Sequence, residues 1–130
     1  MKKTIAISSA ALFLGLHVGA ATAGDMERAM KLYERQHYRL ALDHFLAAAH
    51  TGNARAQEIL GFMHAFGPEL YPGVVRDSRA AARWFDLAAR NGRPVGRYMA
   101  CAMSRRVEDT RLAHRYCFDW VAESGQPGAR

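Results

Sequence analysis

The sequence predicts an all-α fold, an α/α superhelix of about three stacked antiparallel helical hairpins. Three observations predict it. No segment alternates β-branched with polar residues in the way a half-buried strand does. Ala81, Trp84, Phe85 and Ala88 follow the i, i+3, i+4, i+7 spacing of a helix with one buried stripe, and Arg79, Arg83, Asp86 and Arg90 fall mainly on its outer face. Finally, Ala41, Phe45, Ala48, Ala49 and Gly52 recur at a constant offset of 40 as Ala81, Phe85, Ala88, Ala89 and Gly92. A period near 40 built of helix pairs marks a helical repeat array.

Residues 1–23 read as a secretory signal peptide. Lys2 and Lys3 supply the positive start, Ile5 to Leu16 the apolar core, and Ala21-Thr22-Ala23 the small residues of a cleavage site before Gly24. An uncleaved membrane anchor is the alternative, but the apolar run is short against the ~20 residues a spanning helix needs. No cysteine follows the cleavage site, so no lipid anchor is expected there. The expected location is periplasmic or secreted, with residues 24–130 forming one helical repeat domain and no stable membrane anchor.

Within that domain the repeats are expected at roughly 25–52, 53–92 and 93–125, as helix pairs 25–36 with 38–51, 53–66 with 77–91, and 94–105 with 109–124. The helix over 77–91 is the clearest, with Asp77 as its N-cap and Asn91-Gly92 as its stop. Residues 67–76 carry two prolines and two glycines and form the one long connection. The third unit is degenerate. Asp109, Ala113, Tyr116 and Cys117 repeat Asp77, Ala81, Trp84 and Phe85 at an offset of 32, and the register then slips so that Gly125 lies 33 after Gly92.

Removing Lys2 and Lys3 from the 18 basic residues leaves 16 against 12 acids, a net charge of +4. Fifteen of those 16 are arginines and one is Lys31. Such a surface favours acidic partners, including anionic envelope components, or is simply a solvated face with an arginine bias. Nucleic acid is not an expected partner for an exported chain.

The middle unit resembles the Sel-one-like repeats (SLR), relatives of the tetratricopeptide repeats. The resemblance rests on Ala56, Leu60 and Gly61, with His64 where tyrosine is usual, then Gly73, Val74 and Asp77, then Ala81, Trp84, Phe85, Ala88, Ala89 and Gly92. The connection departs from the family pattern because Gly67 and Gly73 lie further apart than usual, which implies an enlarged loop. The first unit is closer to a tetratricopeptide hairpin, through Tyr38, Ala41, Leu42, Phe45 and Ala48. The resemblance implies a protein-protein interaction module, an adaptor or scaffold that binds a protein or peptide along the concave face made by the first helices of the pairs. Helical geometry puts Arg55, Glu58 and Phe62 on that face, opposite Leu60, Gly61 and His64, with Met30, Tyr33 and Tyr98 in comparable places of the flanking units. Alternatively, Phe62 and Tyr33 complete the core.

Cys101 and Cys117 are equidistant from residue 109 and are disulfide candidates across the last hairpin, with two buried free thiols as the alternative. His37, His44, His50, His64 and His114 form no zinc-ligand spacing, and the pairs Met26/Met30 and Met99/Met103 read as core filling rather than soft metal ligands. No metal or cofactor is expected. Ser78, Ser104 and Ser124 sit near helix ends, Glu69, Glu108 and Asp109 in connections, and no Gly-rich phosphate loop is present, so an enzyme is not expected. The alternatives to an interaction module are a small cell-envelope hydrolase and a subunit that assembles with itself; monomer or weak self-association is the expectation.

Overall fold

The computed structural model describes residues 18–118, and within them the chain is helical with no strand. The elements are α1 (Val18–Glu34), α2 (Tyr38–His50), α3 (Ala54–Phe66), α4 (Ser78–Arg90), α5 (Pro94–Arg106) and α6 (Thr110–Ala113), which continues as a π-helical turn over His114–Phe118. Each helix packs on the next in the chain, so α1/α2, α3/α4 and α5/α6 form three hairpins in series. The fold is the all-α stack of hairpins read from the sequence.

Side chains and glycines stop and start the helices as capping chemistry requires. Asn53, Asp77 and Asp109 accept hydrogen bonds from the first-turn amides of α3, α4 and α6. Gly52 and Gly92 both adopt positive φ, and their amides donate to Ala49 and Ala89 while Asn53 and Arg93 donate to Ala48 and Ala88. The same two-bond stop therefore recurs with the period of the repeat.

Two cores lie along the stack. Ala29, Ala41, Phe45, Ala48, Leu60 and Met63 make the first, and Trp84 of α4 packs back onto it. Ala81, Phe85, Ala100, Met103, Leu112 and Tyr116 make the second. Thus adjacent residues of α4 serve different interfaces: Trp84 joins the preceding hairpin and Phe85 fills its own. Fully burying Phe45 or Phe85 contributes about 1.5–3 kcal/mol each. Gly61 lets α3 meet the Phe85 ring, since a Cβ there would lie 2.6 Å from its nearest atom.

The long connection is folded back rather than open. A 3-10 turn over Gly67–Glu69 leads to Tyr71, whose ring meets those of Tyr33 and Tyr38, and to Val74, which is buried in the first core. The Asp77 amide donates to the His64 carbonyl, and Arg76 donates to the Phe66 carbonyl while pairing with Glu69.

Three boundaries differ from those read in the sequence. The first helix spans 18–34 instead of 25–36: it ends early because Gln36 takes positive φ, and it begins early because the alanine-rich run around Ala21–Ala23 is helical. The expected cleavage position before Gly24 therefore lies inside α1. The last helix, expected to be regular over 109–124, widens to a π turn at His114–Phe118, the device that absorbs one extra residue. The one-residue slip read between Cys117 and Gly125 involves residues outside the described range. The expected signal segment up to residue 17, and Ser124 and Gly125, lie outside the described residues. No helix among the described residues is long and apolar enough to cross a membrane.

Candidate functional site

Of the six residues singled out on the first helices of the pairs, Met30, Tyr33, Glu58 and Phe62 are packed, while Arg55 and Tyr98 are exposed. Met30 is half-buried and packs on the first core. Tyr33 sits in a tyrosine cluster, edge-on to Tyr38 at 5.3 Å and Phe45 at 5.9 Å, with its hydroxyl donating to that of Tyr71 at 3.3 Å. Burial, together with that bond from Tyr33, pushes the Tyr71 phenol above its ordinary range. Glu58 is buried and takes a two-pronged hydrogen bond from Arg93, Nε at 2.9 Å and Nη2 at 2.8 Å. Phe62 stands edge-on to Phe85 at 5.1 Å and stacks against Phe66. Arg55 is exposed at the start of α3, and Tyr98, 70% exposed, lines a cleft on α5.

That cleft has a volume of about 420 Å³ and is lined by Pro94, Arg97, Tyr98, Cys101, Ala102 and Arg105 of α5 and by Tyr116 and Cys117 of the last turn. Its size falls within the range of ligand and side-chain pockets. Cys101 and Cys117 are disulfide-bonded at its floor, with Cα atoms 5.1 Å apart. Ser104 donates to the Cys101 carbonyl at 2.7 Å and is buried. The Tyr116 hydroxyl donates to Asp86 at 2.6 Å, and burial followed by that bond pushes its phenol upward. Asp86 is pushed upward by burial too, but hydrogen bonds from Tyr116, Arg90 and Arg115 outweigh it and hold the carboxyl below its ordinary value.

The repeat register explains why the cleft exists. α5 follows α3 at an offset of 40, so Arg97, Tyr98 and Cys101 occupy the places of Gln57, Glu58 and Gly61. In the middle hairpin those places are covered: Gln57 bonds to the Ala49 carbonyl and to Asn91, Glu58 is clamped by Arg93, and Gly61 faces Phe85. In the last hairpin no described residue plays the part of Arg93, and Tyr98 is 70% exposed.

No family model, curated protein or solved structure matches the chain. The chemistry must therefore be read from the side chains alone. Both cysteines of the cleft are bonded, its tyrosine hydroxyl at Tyr116 is engaged by Asp86, and its lining also carries Arg97, Arg105 and the Tyr98 phenol. Among the described residues no group of three or more His, Cys, Asp or Glu is placed to hold a metal ion. Met103 is buried in the second core, and Met26, Met30 and Met99 pack against the two cores.

Two functional features escaped the sequence. Arg93, the clamp on Glu58, is 35 residues away from its partner, and Tyr71 lies 38 residues from Tyr33 in a loop with no periodicity. The one available signal for Arg93 was its place at the start of a first helix, where it repeats the cap Asn53 at the offset of 40.

Proposed function

We propose that the chain is an exported interaction module of the Sel-one-like, tetratricopeptide-related kind, an adaptor rather than an enzyme, that docks a protein or peptide on the face of its first helices. The observation that carries this reading is the α5 cleft, lined by the 70% exposed Tyr98 with Ala102, Arg105 and the Cys101–Cys117 bond, at a repeat position that the preceding hairpin buries. Tyr98 is the anchor, because a large exposed aromatic beside arginines is the composition of interaction hot spots. The signal-peptide pattern of residues 1–23 and the Cys101–Cys117 bond both suit an oxidising compartment, the periplasm or the outside of the cell. The partner is a protein or peptide of that compartment, and the chain itself is a monomer or self-associates weakly.

The test is capture from an envelope extract by immobilised wild-type protein, a Tyr98→Ala/Ala102→Asp variant, and a Leu40→Ser control altered at an exposed apolar residue of α2. The expected result is one protein retained by wild type and control and released by the cleft variant, with unchanged helical circular dichroism. Equal retention by all three places the docking surface elsewhere and refutes the cleft as the site.

A further inference from the structure

A second surface lies between α4 and the end of the stack, away from the α5 cleft. Two adjoining cavities of about 490 and 530 Å³ share Arg79, Val107 and Glu108. A third of about 250 Å³ shares Arg83, Asp109, Arg111 and Leu112 with its neighbour and runs on to Arg90 and Arg115. Together they form one trough along α4. From Arg79 to Arg90 it spans about 16 Å at 1.5 Å per residue of helix, the length of about five residues of extended chain.

Its charges are not all equal. Arg76 is paired with Glu69, and Arg90 and Arg115 both bind Asp86. Asp77 and Asp109 serve as N-caps; Asp77 accepts the Ala80 amide, and Asp109 accepts the amides of Arg111 and Leu112. Arg79, Arg83, Arg106 and Arg111 are exposed, and among the described residues their guanidiniums have no hydrogen bond or ion pair. Four forked donors thus face a groove whose own carboxylates, Glu108 excepted, are committed to the backbone or to other arginines.

We propose that this trough binds an acidic peptide segment of a partner protein, with its carboxylates on Arg79, Arg83, Arg106 and Arg111 and its apolar side chains against the partly exposed Val107. Guanidinium matches carboxylate as a planar fork, and the chain already uses that pairing between Arg93 and Glu58. One feature selects a peptide over other anions. The caps and Glu108 place negative charge inside the trough, which repels a uniform polyanion but leaves room for carboxylates spaced by apolar residues.

Fluorescence anisotropy with the full chain tests this. The probe is a labelled peptide alternating glutamate and leucine. Its glutamine counterpart, inorganic polyphosphate and phosphatidylglycerol vesicles are the comparison ligands. The glutamate peptide should bind in a salt-dependent manner and the glutamine peptide should not. Arg79→Ala/Arg83→Ala should weaken binding about tenfold, the loss of two exposed guanidinium-carboxylate pairs. Arg28→Ala/Arg35→Ala, which removes the same charge from exposed positions of the first hairpin, should leave binding unchanged. Equal weakening by the two variants would reduce the effect to net charge and overturn the proposal. Binding of polyphosphate or vesicles in preference to the glutamate peptide would overturn it as well, and so would wild-type binding by the trough variant.

Discussion

Replacing Gly96 by alanine tests the packing of the stack through the sign of its effect. Helix propensity alone makes Gly96→Ala stabilising by about 1 kcal/mol, because glycine is the poorer helix former. The structure opposes this. A Cβ on Gly96 would lie 2.8 Å from the Ala89 nitrogen, 3.0 Å from the Ala88 Cβ and 3.1 Å from the Ala88 carbonyl carbon. Two of those three atoms are backbone of α4 and cannot rotate away, so α5 must retreat toward the ~3.5–4 Å of ordinary carbon contacts. Overpacking costs about 1–3 kcal/mol, and a backbone-to-backbone clash belongs at the upper end. The net expectation is a loss of about 2 kcal/mol, the ~3 kcal/mol of overpacking less the ~1 kcal/mol of propensity. Urea unfolding of the oxidised protein, followed by helical circular dichroism, measures it. Gly92→Ala is the companion: it meets no atom within 4 Å, and its φ of +84° confines the cost to backbone conformation, about 1 kcal/mol. A Gly96→Ala protein more stable than wild type would refute the tight α4–α5 seam.

Three further outcomes follow from the same geometry. Replacing Cys101 and Cys117 by serine should lower stability by about 3 kcal/mol, the closure entropy of a loop of their separation of 16 residues, and reductant should lower the wild-type urea midpoint but not the variant's. Asp86, whose folded pKa lies below its ordinary value, should contribute stability that is whole above about pH 4 and lost as pH falls through the folded value; the stability gap between wild type and Asp86→Asn should be flat above that pH and close below it. Glu58→Ala should lower the melting temperature more than Arg55→Ala does, because Glu58 is a buried partner of Arg93 while Arg55 is exposed.

What was legible in the sequence was local. Asp77 and Asp109 declare themselves as caps because a cap acts on amides two or three residues away. The stops at Gly52 and Gly92 do so because positive φ selects glycine. The same logic fails at Gln36 and Glu108, which take that conformation without being glycine, and the first helix accordingly ends before its expected limit. The candidate site was less legible because its parts are joined by stacking. A helical wheel places Glu58 on an outer face; only the arrival of Arg93 from the following hairpin turns that face into an interface. Tyr33 reads as a surface aromatic until Tyr71 folds back from the long connection to meet it. Tyr98 has the same register as Glu58 and no such visitor among the described residues, so the same wheel position is interior in one hairpin and exposed in the next.

The two offsets of the repeat give the disulfide its place in this scheme. Cys101 repeats Gly61 at the offset of 40 that relates the first helices, and Cys117 repeats Phe85 at the offset of 32 that relates the second. The Gly61–Phe85 contact and the Cys101–Cys117 bond are therefore one position of the repeat, filled in two ways. In the middle hairpin a large ring set against a glycine joins the two helices and buries apolar surface. In the last, the ring is gone and a covalent link spans the same pair of helices, which fits a hairpin whose second helix is widened by a π turn and whose outer face is open. A bond needs little neighbouring core to hold two helices together, whereas a buried ring needs a full shell of contacts. Linking the hairpin in this way ties α5 to the turn that follows it while Tyr98 and Arg105 stay at the surface.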